Sequence, residues 1–120
     1  MEDRLINKSD LGPEISLEAN GSISIIGRSM MEDASLYYQQ AHEWIGNYVS
    51  KMDKMLIVDI DLSYFNSSSA KQLLKLLTAI EEAEIEGKVN WIYPKENDIL
   101  LERGQELEFM LDLPFNYTPK

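Results

Sequence analysis

An apolar run near the middle of the chain constrains the fold more than any other sequence feature. The four residues Met55–Val58 are all apolar, and the alternation of acidic and apolar residues in Asp59–Leu62 follows directly. Such a pattern is typical of a strand whose first half is covered on both faces. We therefore predict a central strand over residues 55–62, around which the other elements must pack.

A hinge rich in hydroxyl groups follows the central strand and opens a helix. The hinge is the segment Tyr64–Ser69, whose last four residues are an asparagine and three serines. Beyond it, apolar residues recur three and four positions apart, which predicts a helix that begins close to Ser67. The residues of this apolar stripe are Ala70, Leu73, Leu74, Leu77 and Ile80.

The serines of the hinge have two interpretations. Ser and Asn are the usual N-cap residues, because their oxygen atoms accept hydrogen bonds from the unpaired N–H groups of the first helical turn. Alternatively, one hydroxyl accepts a phosphoryl group, whose negative charge is favoured at a helix N-terminus. The carboxylates of Asp59 and Asp61 would oppose that charge if they lie close to it.

Length and charge exclude several classes of function. With 120 residues and 44% hydrophobic content, the chain has enough apolar side chains for one core and hence for one domain. Eleven basic and 21 acidic residues give a net charge of −10, which argues against nucleic acid or an anionic membrane and favours a partner with a basic patch. No segment approaches the roughly 18 apolar residues of a membrane span, and the first ten residues lack signal-peptide features, so we expect a cytoplasmic protein.

The first 28 residues predict a lead-in and a hairpin. Residues 1–13 are polar and end in Gly-Pro, which predicts a flexible lead-in to a single domain over residues 14–120. Apolar and polar residues alternate on either side of Asn20-Gly21, which is a strong hairpin signal. We therefore predict strands at about 14–19 and 22–27.

A first helix is predicted between the hairpin and the central strand. Ser29-Met30-Met31-Glu32 has the spacing of a capping box, which predicts a helix that begins there and runs to about Lys51. His42 is the only histidine, and since no second histidine or cysteine is present we place it at the core rim rather than in a metal site. The apolar stripe of this helix comprises Tyr37, Ala41, Trp44, Ile45, Tyr48, Val49 and Met52.

The last third of the chain predicts a strand, a helix and an edge strand. Gly87 suits the C′ position after the second helix, and Val89–Tyr93 has the composition of a strand. Asn97-Asp98 can cap a third helix through about Glu108, and Pro114–Tyr117 suits a short edge strand.

The predicted third helix contains a glycine near its middle. Gly104 costs about 1 kcal/mol relative to Ala inside a helix, so it marks a close approach to another backbone or a bend. Ile99, Leu100 and Leu107 are predicted to face inward.

The complete order of predicted elements indicates the fold class. The order β-β-α-β-α-β-α-β predicts an α/β domain with a mixed β-sheet and about three helices packed mainly on one face.

The sequence contains none of the common catalytic motifs. The P-loop, dinucleotide-binding, nucleophile-elbow and H-E-x-x-H patterns are all absent. Asp59 and Asp61 point the same way from a strand, but no converging partner for acid/base or metal chemistry is visible. The lack of cysteine excludes disulfides and thiolate metal sites. We therefore expect neither an enzyme nor a bound metal or cofactor.

The hinge resembles segments of two known families. Asn66–Ala70 is similar to the Asp-Ser-Ser-Gly turn of STAS-domain anti-sigma-factor antagonists, whose turn serine is phosphorylated by a partner kinase. A larger set of segments, from about Ile15 to Tyr117, resembles the SiaC family of regulatory phosphoproteins. These segments are Ile26–Ser29, the Trp44 helix, Tyr64–Lys71, Trp91 with Tyr93, and Gly104–Glu106.

The SiaC resemblance implies a cytoplasmic signalling protein with a STAS-like fold. The implied partners are a dedicated protein kinase with a histidine-kinase-like ATPase fold and a PP2C-type phosphatase. In the best-understood branch of the family, the unphosphorylated form activates a diguanylate cyclase, which raises cyclic-di-GMP and favours biofilm formation. The resemblance therefore implies a diguanylate cyclase as the output partner.

The resemblance also implies a phosphorylation site in the hinge. The family's turn reads Asn-Thr-Ser-Ser with a phosphorylated Thr that falls on Ser67, whereas the STAS comparison points to Ser68. Lys71, one helical turn on, is placed to pair with the phosphate. The chain departs from the family at Met31–Asp33, where the family usually has Pro-Glu-Asn. The expected partner-binding residues are Tyr64, Phe65, Asn66, Ser68, Ser69 and Lys71.

Two other classes of function stay open at this point. A STAS-like module that binds a small molecule or a lipid would show a sizeable apolar pocket with a few convergent polar groups. A structural adaptor would use the hinge serines as caps alone. Their replacement by Ala would then cost about 1 kcal/mol of stability and leave partner binding intact.

Overall fold

A six-stranded β-sheet with three helices forms the whole domain. The computed structural model describes residues 1–120. The strands are β1 (Arg4–Ile6), β2 (Glu14–Glu18), β3 (Ser22–Ser29), β4 (Leu56–Phe65), β5 (Gly87–Tyr93) and β6 (Phe115–Pro119). The helices are α1 (Ser35–Lys51), α2 (Ser67–Glu82) and α3 (Asp98–Phe109). None of the helices combines the length and the apolar composition needed to cross a lipid bilayer.

The strands lie in the sheet in the order in which they occur along the chain. β1, β2 and β3 pair antiparallel, whereas β3, β4, β5 and β6 pair parallel, with one helix in each parallel connection. Because such connections are right-handed and the strand order never reverses, the three helices cover the same face of the sheet. The predicted mixed α/β fold is therefore confirmed.

The N-terminal segment is more ordered than the sequence predicts. Residues 4–6 form an edge strand in which Arg4 pairs with Leu17 of β2, so the prediction of an irregular lead-in is wrong there. The Asp3 carboxylate accepts a hydrogen bond from the Ala19 N–H at 2.7 Å, and the Glu2 carbonyl accepts one from the Trp44 indole at 2.9 Å. Contacts with distant residues hold this segment, and a three-residue strand has too short a pattern to be seen in the sequence.

The start of α1 also differs from the prediction. Ser29 is the last residue of β3 and its side chain is fully buried, so it is not an N-cap. The helix begins six residues later at Ser35, with Ala34 at the N-cap position. Tyr38 is buried, whereas the predicted Tyr37 lies at the rim of the core and donates a hydrogen bond to the Pro13 carbonyl at 2.7 Å.

The central strand and the helix after it are confirmed, with a longer strand than predicted. β4 continues through Tyr64 and Phe65, and α2 begins at Ser67 as expected. The polar face of β4 lies opposite the helices. There the Asp59 carboxylate accepts a hydrogen bond from Asn90 at 2.8 Å, and Asp61 forms an ion pair with Lys120 at 2.7 Å.

The left-handed residue that follows the end of α2 is not the predicted glycine. The helix ends at Glu82, and Glu84 adopts the left-handed conformation with φ of 61°. Gly87 is the first residue of β5, so its assignment to the C′ position is wrong. The predicted edge strand is present as β6, which pairs with β5 alone.

Gly104 lies where α3 crosses the indole ring of Trp91. A Cβ at this position would lie 2.7 Å from the ring, whose N–H donates to the Leu100 carbonyl at 2.9 Å. The predicted close approach is therefore present, although the neighbour is a side chain and not another backbone. Leu107 faces inward as predicted, whereas Ile99 is 70% exposed and its predicted burial is wrong.

Replacing Gly104 by Ala should lower the free energy of unfolding by about 1–3 kcal/mol, because the buried indole must move. Gly46 is the matched control, since it also lies inside a helix and a Cβ there would meet nothing within 4 Å. Gly46→Ala should raise stability by about 0.5–1 kcal/mol through the higher helix propensity of Ala. Urea unfolding followed by circular dichroism measures both changes. Similar shifts in the two variants would contradict the crowding at Trp91.

Candidate functional site

The predicted hinge lies at the carboxyl end of the parallel strands. Ser29 and Phe65, the last residues of β3 and β4, are register partners, so the two strands end side by side. Asn66 connects β4 directly to Ser67, the first residue of α2. Ligands and partners of open α/β sheets commonly meet the protein at this edge, where loops and helix N-termini gather.

The side chain of Asn66 caps α2 and holds the neighbouring loop. Its Oδ1 accepts a hydrogen bond from the Ser69 N–H at 2.9 Å, and its Nδ2 donates to the Met31 carbonyl at 2.8 Å. The Asn66 backbone N–H donates to the Ser29 carbonyl at 3.1 Å. The N-cap is therefore the asparagine and not one of the serines. This single residue connects β4, α2 and the loop between β3 and α1.

The three serines that open α2 lie in three different environments. Ser67 is exposed, and its hydroxyl forms no hydrogen bond with another group of the protein. Ser68 is half-buried, and its Oγ accepts a hydrogen bond from the Ala34 N–H at 2.8 Å. Ser69 is fully buried. Of the two candidate acceptors, Ser67 alone has a hydroxyl that the fold does not use.

A chain of buried hydroxyl groups lies beneath the hinge. Ser29 Oγ lies 2.8 Å from the Tyr38 hydroxyl and 2.6 Å from Ser69 Oγ, and Ser69 Oγ donates to the Ser29 carbonyl at 3.0 Å. Since each hydroxyl has one proton, Ser29 then donates to Ser69 and Tyr38 donates to Ser29. Burial raises the pKa of Tyr38 to about 12, so its hydroxyl stays protonated at neutral pH. The sequence has no local signal for this cluster.

An arginine from α3 contacts the end of β4. The Arg103 guanidinium donates a hydrogen bond to the Phe65 carbonyl at 2.6 Å and lies 4.0 Å from the centroid of the Phe65 ring. Phe65 is buried, so the ring is a fixed support for the cation. Sequence reasoning missed Arg103, because a charged residue on a helix usually indicates a solvent-exposed face.

The residues predicted to bind a partner divide into exposed and supporting ones. Tyr64 is 48% exposed, and Lys71 is exposed without an ion pair. Phe65 and Ser69 are buried, so they shape the surface only through the residues that they position. We define the hinge surface as Tyr64, Asn66, Ser67, Ser68 and Lys71.

The other polar residues singled out in the sequence lie away from the hinge surface. His42 Nε2 lies 2.8 Å from Gln72 Oε1, and partial burial lowers the pKa of the imidazole. Asp59 and Asp61 lie on the opposite face of the sheet from the helices, where their carboxylates contact Asn90 and Lys120. Nowhere do three or more His, Asp or Glu side chains come together as a metal site.

Comparisons with known proteins agree with this architecture. The family model described as SiaC family regulatory phosphoprotein matches residues 6–120. An uncharacterized protein of Pseudomonas aeruginosa (strain UCBPP-PA14) is 28% identical over 98 residues, covering 79% of this chain and 78% of that protein.

Solved structures show the same fold. The crystal structure of apo-SiaC from Pseudomonas aeruginosa superposes with a TM-score of 0.91 at 25% identity, covering 98% of this chain and 99% of that one. The crystal structure of the diguanylate cyclase SiaD in complex with its activator SiaC, from the same organism, gives a TM-score of 0.92 at 24% identity, covering 98% of this chain and 100% of that one.

Replacing Asn66 by Ala removes both side-chain bonds of the cap, so we expect the free energy of unfolding to fall by about 1–2 kcal/mol. Ser67→Ala removes an exposed hydroxyl without a protein partner and should change stability by less than about 0.5 kcal/mol. Urea unfolding followed by tryptophan fluorescence measures both. Equal losses in the two variants would show that Ser67 takes part in capping and would contradict this assignment.

Proposed function

The chain belongs to the SiaC family of regulatory phosphoproteins, and from this premise we propose that phosphorylation of Ser67 controls its binding to a signalling partner. The observation that carries the proposal is the exposed Ser67 hydroxyl at the start of α2, which neither caps the helix nor holds the neighbouring loop. A kinase can therefore modify it without breaking a contact of the fold.

Ser68 is the less suitable acceptor of the two. Its Oγ already accepts the Ala34 N–H, the donor at the N-cap position of α1. Transfer of a phosphoryl group to this half-buried oxygen would have to displace that bond and bring a doubly charged group against the loop. The bond of Ser68 to Ala34 thus favours Ser67.

The switch that we propose is electrostatic. A phosphate adds about −1.5 to −2 charge units at neutral pH. The loop before α1 carries the exposed Glu32 and Asp33, and the bond between Ser68 and Ala34 holds this loop against the start of α2. Phosphate on Ser67 therefore places like charges on adjacent segments, while Lys71, four residues on along the helix, attracts it. The hinge surface changes both its charge and the position of its side chains.

The proposed partners follow from the family. The Pseudomonas aeruginosa SiaC is described as the activator of the diguanylate cyclase SiaD, and we propose a diguanylate cyclase as the output partner of this chain too. We further propose a kinase with a histidine-kinase-like ATPase fold and a PP2C-type phosphatase that add and remove the phosphate in the cytoplasm. In this proposal the protein is a regulator without enzymatic activity of its own.

Binding of a small molecule or a lipid has less support. That function requires an apolar pocket with a few convergent polar groups. Residues with apolar side chains are a minority of the lining in each of five surface depressions, and the depression between the N-terminal segment and β3 is lined by none.

Incubation with the cognate kinase and ATP should add one phosphate to the wild-type protein and to Ser68→Ala, and none to Ser67→Ala. The reason is that Ser67 has the free hydroxyl at the entrance of α2. Intact-mass spectrometry followed by peptide mapping measures the phosphate and its position. Phosphate on Ser68 in the Ser67→Ala variant, at the wild-type rate, would contradict the assignment.

Phosphorylation of Ser67 should weaken binding to the cyclase by about tenfold or more, which corresponds to about 1.4 kcal/mol. Isothermal titration calorimetry with the unmodified protein and with phosphoserine encoded at position 67 measures the difference. Ser67→Ala is the control, and it should bind as the unmodified protein does. Equal affinity of the phosphorylated and unmodified forms would refute the switch.

A further inference from the structure

Arg103 has an unusual electrostatic environment for this chain. The protein has a net charge of −10, and Glu102 and Glu106 lie on the same helix, yet the guanidinium has no carboxylate within 4.0 Å. Its one hydrogen bond with the protein goes to the Phe65 carbonyl. A guanidinium has five N–H donors, so four of them have no partner in the protein. The cation is thus held in place without a counter-charge.

The position of Arg103 brings these free donors close to Ser67. Its Nη1 lies 2.6 Å from the carbonyl oxygen of Phe65, which precedes Ser67 by two residues. The Cα atoms of Phe65 and Ser67 are at most about 7 Å apart, since each residue spans at most about 3.6 Å. The guanidinium therefore lies against the backbone that leads directly into Ser67, and we expect a phosphate on the exposed Ser67 side chain to come within its reach.

We propose that Arg103 binds the phosphoryl group on Ser67 and thereby connects α3 to the switch, an inference that rests on the function proposed above. The Phe65 carbonyl and ring hold the guanidinium from one side, and its free N–H groups form a bidentate contact with two phosphate oxygens. The phosphorylated hinge surface then includes part of α3, which the unmodified hinge surface does not.

Lys71 is the competing cation, and the structure favours Arg103 over it. Lys71 is exposed on a flexible stem and makes no contact that orients its ammonium group, so binding phosphate must restrict more of its rotamers. Arg103 is half-buried and already restricted by two contacts with Phe65. Its planar fork also matches phosphate in a way that an ammonium group does not.

A phosphorus NMR titration of the full chain with phosphoserine encoded at position 67 tests this assignment. A bound cation stabilises the dianion, so the second pKa of the phosphate should lie below the ordinary value of about 6. Arg103→Gln should raise that pKa by about half a unit or more. Lys75→Gln removes the same charge from an exposed site two turns along α2 and is the matched control, with a smaller expected shift. Lys71→Gln measures the competing cation.

The shifts of the phosphate pKa in the three variants show which cation binds the phosphate. A larger rise of the phosphate pKa in Arg103→Gln than in Lys75→Gln and Lys71→Gln supports the proposal. Equal shifts in Arg103→Gln and Lys75→Gln, or a dominant shift in Lys71→Gln, overturn it.

A second measurement does not depend on the folding of a variant. In the wild-type chain, the guanidinium nitrogen and proton resonances of Arg103 should move when position 67 carries phosphoserine instead of serine, and unchanged resonances overturn the proposal. Because the phosphate is encoded and no kinase is used, failure here is distinct from failure of the proposed function. That function would fail through absent phosphorylation by the kinase or unchanged binding to the cyclase.

Discussion

The amide group of Asn66 is the interaction on which the arrangement of the hinge depends. It satisfies a free N–H group of α2 through Ser69 and binds the Met31 carbonyl, so it fixes the helix N-terminus and the loop before α1 relative to each other. Because Asn66 meets the capping requirement, the serines that follow it have other roles. If one of those serines were the cap instead, the hydroxyl of that serine would be engaged in the fold and less accessible to an enzyme.

The consecutive serines show how a helix turn assigns different roles to chemically identical groups. Successive residues point about 100° apart around a helix with 3.6 residues per turn. Ser69 therefore faces the core, where it joins the hydroxyl groups of Ser29 and Tyr38, while Ser68 faces the loop and binds the Ala34 N–H. Ser67 faces solvent. The loop before α1 contacts this turn through the bond between Ala34 and Ser68, and Arg103 contacts the end of β4 through Phe65.

Most elements of the fold were predictable, because they depend on patterns within a few residues. The apolar run of β4 and the three- and four-residue spacing of α2 both follow from local sequence. The errors have a common physical cause, which is contact between distant segments. β1 exists because its backbone pairs with β2, and Ser29 continues β3 because its backbone pairs with Phe65 of β4, which is distant in the sequence.

The sequence by itself indicated a mixed α/β fold, located the hinge, and limited the candidate phosphate acceptors to Ser67 and Ser68. Only the tertiary structure decided that Asn66 is the cap, that Ser67 has the free hydroxyl, and that Arg103 lies beside the hinge. The reason is that exposure and hydrogen bonding of a side chain depend on which remote residues come near it. Arg103 follows Phe65 by 38 residues, and no local periodicity encodes a contact over that separation.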